Sequence, residues 1–151
     1  VTKIFRWQVL RWFLFGIVLA LIVMQFVPVE RSNPPVEEEV PAPANVRAML
    51  RRACYDCHSN ETRWPWYSHV APVSWLVAHD VHEARKHLNF STWNQYNPKR
   101  QARKLNEVWE EVDEGEMPLW YYLTVHRDAV LSVEDRALLR AWTTSTPEGS
   151  P

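Results

Sequence analysis

Apolar positions fall into three regimes along the chain. From Trp12 to Met24 no side chain is polar or charged, and past Gln25 the apolar character continues to Val29. Counted from Trp7, the run is about 20 residues, enough to cross a hydrocarbon core of ~30 Å as one helix. The second regime contains Pro28, Pro34, Pro35, Pro41 and Pro43 with a glutamate run at 37–39. Its prolines favour extended backbone and its charges keep it solvated, so it predicts a spacer without packed structure. In the third regime apolar positions recur at helical spacing and predict four helices. The first starts at Asn45 as N-cap and carries Val46, Met49, Leu50 and Ala53. The second opens near Pro72 and runs through Trp75, Leu76, Val77, Val81, Ala84 and Leu88. The third has Asn97 as N-cap and Pro98 at its first position, carries Leu105, Val108, Trp109 and Val112, and stops at Gly115. The fourth has Ser132 and Asp135 in a capping-box arrangement and buries Leu138, Leu139, Ala141 and Trp142. No run alternates in the manner of a strand.

These regimes give a transmembrane anchor over 1–29, a Pro/Glu-rich linker over 30–44, an all-α domain over 45–146 and a tail over 147–151. Lys3, Arg6 and Arg11 flank the apolar run on its N-terminal side, whereas Glu37, Glu38 and Glu39 follow it. The positive-inside rule then leaves the N-terminus in the cytoplasm and the helical domain outside. A cleaved signal peptide has the same order of charge and apolarity. The bulky Met24–Pro28 stretch offers no small-x-small cleavage site, which favours an uncleaved anchor.

Composition sharpens this picture in two places. Hydrophobic residues make up 46% of the 151-residue chain although its mean hydropathy is −0.36, so the apolar content must be concentrated locally. The formal net charge is −1, and acidic and basic residues also balance within 45–146. That balance excludes a whole-chain electrostatic footprint for nucleic acid. Three glycines disfavour a Gly-rich phosphate loop, and two cysteines exclude a disulfide-rich scaffold. Nine tryptophans need a membrane interface or something large and flat to pack on.

Both cysteines fall in Cys54-Tyr55-Asp56-Cys57-His58. Cys-x-x-Cys-His is the attachment signal of a c-type haem. Two thiols at this spacing reach both vinyl groups of one porphyrin, and the adjacent histidine falls under the ring as proximal iron ligand. The motif thus assigns one covalent haem c to Cys54 and Cys57, with iron on His58. A redox dithiol would need a preceding strand and a βαβ context. A zinc site would need further ligands at finger spacing, and a Cys54–Cys57 disulfide is the plainest alternative. For the distal side of the iron the best candidate is Met117, in Gly115-Glu116-Met117-Pro118, with His126 as its main rival and His69 as another. His79, His82 and His87, with Glu83, read as one solvated helix face.

Cys-x-x-Cys-His, the later Gly-x-Met-Pro and a final amphipathic helix resemble a small class I cytochrome c. A longer signature resembles the bacterial haem-binding domain family: Cys54 through Thr62, Trp64-Pro65-Trp66-Tyr67-Ser68, Ala71-Pro72-Val73-Ser74-Trp75, Leu88-Asn89-Phe90-Ser91-Thr92-Trp93, and Gly115 through Tyr121 with His126. Ala84 and the His79-Asp80 pair depart from the pattern expected of the second helix. The resemblance implies covalent haem on Cys54 and Cys57 with His58 as proximal ligand. Trp64, Trp66, Trp75 and Trp120, near the two ligand loops in sequence, are then expected to line the haem crevice, together with Tyr67 and Trp93. Arg63 is expected on the solvated surface, with a haem propionate as its other candidate partner.

The resulting expectation is a single-pass protein of a bacterial inner membrane. Its periplasmic, all-α, class I cytochrome c-like domain holds one covalent haem and transfers single electrons without being an enzyme. Its membrane partner is bound through the N-terminal helix, no nucleic acid is involved, and the redox partner is left open. The alternative is a redox or gas sensor with a displaceable distal ligand.

Overall fold

The computed structural model describes residues 2–145. Val1, the last position of the expected helical domain at 146 and the tail 147–151 lie outside the described residues. Among the described residues there are seven α-helices and no named strand, so the fold is all-α. The helices are α1 (Thr2–Met24), α2 (Ala44–Ala53), α3 (Tyr55–His58), α4 (Val73–His87), α5 (Pro98–Asp113), α6 (Trp120–Val125) and α7 (Val133–Ser145). The chain divides into two compact units, Val1–Ser32 with Trp64–Asp80 and Asn33–Arg63 with Val81–Pro151.

In the first unit, α1 supplies a stretch, Arg6–Met24, that is long and apolar enough to cross a membrane, and none of it is buried against protein. The helix stops at Met24, short of Val29, and unwinds through single turns at Gln25, Phe26 and Val27. Pro28 follows, and a proline cannot donate to a continuing helix. The rest of the unit is a short 3₁₀ turn, Trp66–His69, and the first part of α4.

The second unit has a continuous apolar core. The α2 helix buries Val46, Met49, Leu50 and Ala53, the four residues its periodicity singled out. It begins at Ala44 rather than after an Asn45 cap, because the Pro43 carbonyl already accepts from Arg47 N–H at 2.9 Å. Asn45 sits inside the first turn and accepts from Val46 N–H at 3.0 Å. The α5 helix is capped as its sequence predicts: Asn97 accepts from Arg100 N–H at 2.9 Å, and Gly115 leaves the helix at φ +81°. At that φ a Cβ would be strained, so glycine is the natural stop. The capping box of α7 is complete, with Ser132 Oγ accepting from Asp135 N–H (3.1 Å) and Asp135 Oδ2 accepting from Ser132 N–H (3.0 Å). On α7 the buried face is Leu139, Trp142 and Thr143, whereas Ala141 is exposed. Four expected helices become six beyond α1, since α3 and α6 are too short to show a hydrophobic period.

The linker differs from its expectation. It is extended, as its prolines dictate, but from Asn33 onward it belongs to the second unit and pairs with it. Glu37 N–H and Glu38 N–H donate to the Ser91 carbonyl, and Val40 N–H donates to the Phe90 carbonyl at 2.9 Å. Glu38 and Thr92 form an isolated parallel bridge. Val40 is 1% exposed and is part of the core with Leu50, Phe90 and Trp93. One fully buried apolar residue among prolines and glutamates gives no periodic signal, which is why composition alone reads this strand-like arm as free spacer.

Candidate haem site

The Cys54–His58 motif begins where α2 ends. Cys54 N–H closes the last turn of α2 on the Leu50 carbonyl at 2.8 Å, and the Cys54 carbonyl then accepts from Cys57 and His58 N–H to make α3. The cysteines are therefore carried on one short turn whose platform is a buried helix. They are not bonded to each other. Burial, with neighbouring Cys57 adding to it, pushes the Cys54 thiol up to about 12. A redox dithiol needs the opposite shift, towards a thiolate at neutral pH. Among the described residues no group of three or more His, Cys, Asp or Glu side chains is disposed to hold a metal ion, so zinc gains no support.

His58 is oriented by the segment that follows α4. Its Nδ1 lies 3.2 Å from the Leu88 carbonyl oxygen. A carbonyl only accepts, so Nδ1 carries the proton and Nε2 keeps its lone pair for a metal. Burial lowers the His58 pKa, opposed by the carbonyls of Leu88 and Ala84, which favours the neutral ring that a metal requires. The same segment grips the motif from its other end. Phe90 N–H donates to the His58 carbonyl at 2.8 Å, and Asn60 N–H donates to Ser91 Oγ at 3.0 Å. Asn89 Nδ2 donates to Asn60 Oδ1 at 2.8 Å, and Ser91 N–H donates to Asn89 Oδ1 at 2.9 Å. Tyr96 Oη accepts from Asn89 N–H at 3.0 Å. Asn60, Asn89 and Ser91 are all buried, and each is satisfied by another member of the set.

An aromatic ladder runs along this network. Tyr55 stacks on Phe90 at 5.5 Å between centroids, Phe90 on Trp93 at 6.4 Å, and Trp93 meets Tyr96 edge-on at 5.4 Å. His58 meets the Phe90 ring edge at 6.4 Å. Asp56, the second inner residue of the motif, is buried and collects four donors, one of them the Arg63 backbone N–H at 3.2 Å. Tyr122 Oη donates to it at 3.0 Å, and Arg63 reaches it through Nε and Nη2, both at 3.2 Å. Arg63 is exposed, as expected of a surface arginine, and from there it also pairs with the motif through Asp56. Burial and the Asp56 charge raise the Tyr122 pKa far above its ordinary value, so the phenol stays a donor.

The sequence pattern of the haem-binding domain family matches residues 19–145. The chain belongs to this family. No curated protein and no solved structure matches it. The matched region starts within α1 and takes in the whole linker, in keeping with the arm from Asn33 being packed structure. The donor set around the motif fits a haem: two thiols on one turn, and beside them an imidazole whose Nε2 is left for iron.

The other expected site residues of this haem-binding domain are placed unevenly. Met117 follows the Gly115 stop of α5, its N–H bonded to the Glu111 carbonyl at 3.0 Å. Its side chain is partly buried against the core that Cys54 and Leu88 also touch. His126 stacks face-on upon Tyr122, 4.2 Å between centroids, and so lies one ring from Asp56. Trp64, Trp66 and Trp75 belong to the first unit, as does His69, which is exposed. Trp64 and Trp75 each bury an indole Nε1 with no hydrogen-bond partner, and Trp66 is exposed. Trp120, in the second unit, is 76% exposed and packs edge-on against Tyr121 at 5.7 Å. The rings that support the motif are Tyr55, Phe90, Trp93 and Tyr96, of which the sequence reading had picked out only Trp93. A readable signal existed: Asn89, Phe90 and Ser91 put small amides and hydroxyls beside large rings just after a helix.

Proposed function

We propose that this haem-binding chain is a membrane-anchored monohaem c-type cytochrome. In this reading it carries single electrons on the periplasmic side of a bacterial inner membrane and catalyses no reaction of its own. The observation that carries the covalent, c-type reading is the Leu88 carbonyl on His58 Nδ1, next to two thiols on a single turn. Haem c, when bound, supplies a one-electron iron couple.

The residues of the chain have separate duties in this reading. Cys54 and Cys57 would each add a thiol S–H across one vinyl group, fixing the ring to α3. His58 offers Nε2, and the Leu88 carbonyl makes that nitrogen a better donor by sharing the Nδ1 proton. Asp56 accepts from Tyr122 and Arg63 and so would hold the turn still. Met117 is the proposed distal ligand, since a thioether in a loop fixed to the end of α5 needs no proton change to bind iron. His/Met ligation favours a higher reduction potential than two histidines would. The apolar stretch of α1, with Lys3, Arg6 and Arg11 towards its N-terminal end and glutamates beyond its C-terminal end, supports the anchor and its orientation.

The test is a haem stain of the denatured chain, with spectra in both oxidation states. The wild type is expected to keep stain through denaturation, and Cys54→Ala with Cys57→Ala to lose it completely. Met117→Ala is expected to abolish the sulfur-to-iron charge-transfer band of the oxidised protein. Haem that is extracted on denaturing the wild type would overturn the c-type reading. A band that survives Met117→Ala would move the distal role to His126.

A further inference from the structure

The first unit carries an exposed apolar surface beside the end of α1. Gln25 lies just beyond α1 and is bonded to the backbone of Ala71: Oε1 accepts from Ala71 N–H at 3.0 Å, and Nε2 donates to the Ala71 carbonyl at 3.3 Å. The same Nε2 donates back to the Leu21 carbonyl of α1 at 2.9 Å. Six residues on, Arg31 Nη1 donates to the Ser68 carbonyl at 3.1 Å. These bonds fix the segment around Ser68 and Ala71 to the C-terminal end of α1.

The side chains around this attachment are large, apolar and exposed. Phe26 and Val27 stand just past the last turn of α1. Trp66 is 78% exposed, and Val70, Val73 and Leu76 are exposed with it. Along α4 the exposed stripe runs Val73, Leu76 and then His79, so it turns polar one step further on. His69, exposed in the same 3₁₀ turn as Trp66, adds a polar group that suits headgroups. A soluble surface seldom gathers such side chains, whereas an indole beside aliphatic residues is the composition of the headgroup boundary of a bilayer.

We infer that Trp66, Val70, Val73 and Leu76 form a second membrane contact, seated in the headgroup–acyl boundary where α1 leaves the bilayer. The inference rests on the proposed anchor, because the Gln25–Ala71 and Arg31–Ser68 bonds are what bring the segment to the lipid surface. The occupant it commits to is a phospholipid bilayer. Continuity favours it: the patch is bonded to the end of α1, the one helix among the described residues that is long and apolar enough to span.

The experiment places photoreactive benzoylphenylalanine at position 15, 66 or 120 of the full, haem-loaded chain in phosphatidylethanolamine/phosphatidylglycerol bilayers. Lipid adducts are read by mass spectrometry after irradiation. Position 15 lies within α1 and reports the anchor; position 120 replaces an equally exposed tryptophan of the other unit. Unchanged visible spectra confirm that each variant folds. Adducts at 15 and 66, at least several-fold above those at 120, are the expected result. Adducts at 15 but not above the level of 120 at position 66 overturn the inference and leave the anchor standing. Crosslinks from 66 to protein, whether a second copy or another polypeptide, also overturn it. Absence of lipid adducts at both 15 and 66 overturns the anchor itself and the inference with it.

Discussion

Trp93 and Trp66 are the same side chain in two different situations. Trp93 is 2% exposed, stacked on Phe90 and edge-on to Tyr96 in the core behind the haem motif. Trp66 stands almost fully exposed in the unit that carries α1, touching one ring, that of Tyr67, at 5.9 Å. The two rings are therefore placed quite differently in the chain. Some rings build the support for the motif from inside, and others face outward from the unit with the apolar helix. Ring content alone does not say which, because an indole is equally at home in a protein core and at a lipid headgroup.

The largest expected effect separates these two roles. Trp93→Ala removes a fully buried indole from the core, and such truncations cost about 3–5 kcal/mol. Urea denaturation of the detergent-solubilised, haem-loaded chain should show that loss, with less haem retained during expression. A cost under about 1 kcal/mol would mean that the Phe90–Trp93–Tyr96 ladder is not what holds the motif's support together.

Asn89 comes next. In Asn89→Ala the buried Ser91 N–H loses its acceptor and Asn60 Oδ1 loses its donor. Leaving buried polar groups unpaired costs about 1–3 kcal/mol. Because this network also aligns the Leu88–Phe90 segment that holds His58, the fraction of chain carrying haem should fall as well. Destabilisation with full haem loading would separate the network from the site.

How far the sequence carried can be judged on these residues. The α5 and α7 caps were readable because Asn97, Gly115, Ser132 and Asp135 act locally, on backbone three or four residues away. The motif was readable for the same reason, since Cys54, Cys57 and His58 share one turn. What was not readable acts across the chain. Leu88 reaches His58 through a carbonyl, which every residue has, so nothing in its side chain announces the role. Tyr122 finds Asp56 across 66 residues, and Val40 joins the core from a segment whose prolines and glutamates look like tether. Trp120 is a converse case: its nearness in sequence to Met117 says nothing about its burial, and it is 76% exposed.

The capping box of α7 offers a smaller, pH-dependent test in the second unit. Burial pushes Asp135 upward, but bonds from Ser132 N–H and from Arg52, at 2.7 Å, outweigh it and leave the carboxyl below its ordinary value. A depressed carboxyl contributes stability above its unfolded pKa and loses it as pH falls through the folded one. Stability measured from neutral pH down through the carboxylate range should therefore decline less in Asp135→Asn than in the wild type. Ser132→Ala removes the other half of the box and should cost about 1 kcal/mol at neutral pH. Equal acid sensitivity in wild type and Asp135→Asn would remove the Asp135–Arg52 pair from the forces that hold α7 on α2.

The smallest expected effect is the most discriminating for the comparison between the two tryptophans. Trp66→Ala deletes as much ring as Trp93→Ala, yet an exposed side chain outside any core should change folding stability by no more than about 0.5 kcal/mol. Measured in detergent, where no bilayer surface is present, the two substitutions should differ several-fold in cost. If Trp66→Ala proves as costly as Trp93→Ala, the ring supports the fold, and the proposed second membrane contact loses its central side chain. If the cost is small, the ring is dispensable to the folded chain, and a residue so large and apolar that does nothing for the fold is left for an external surface to use.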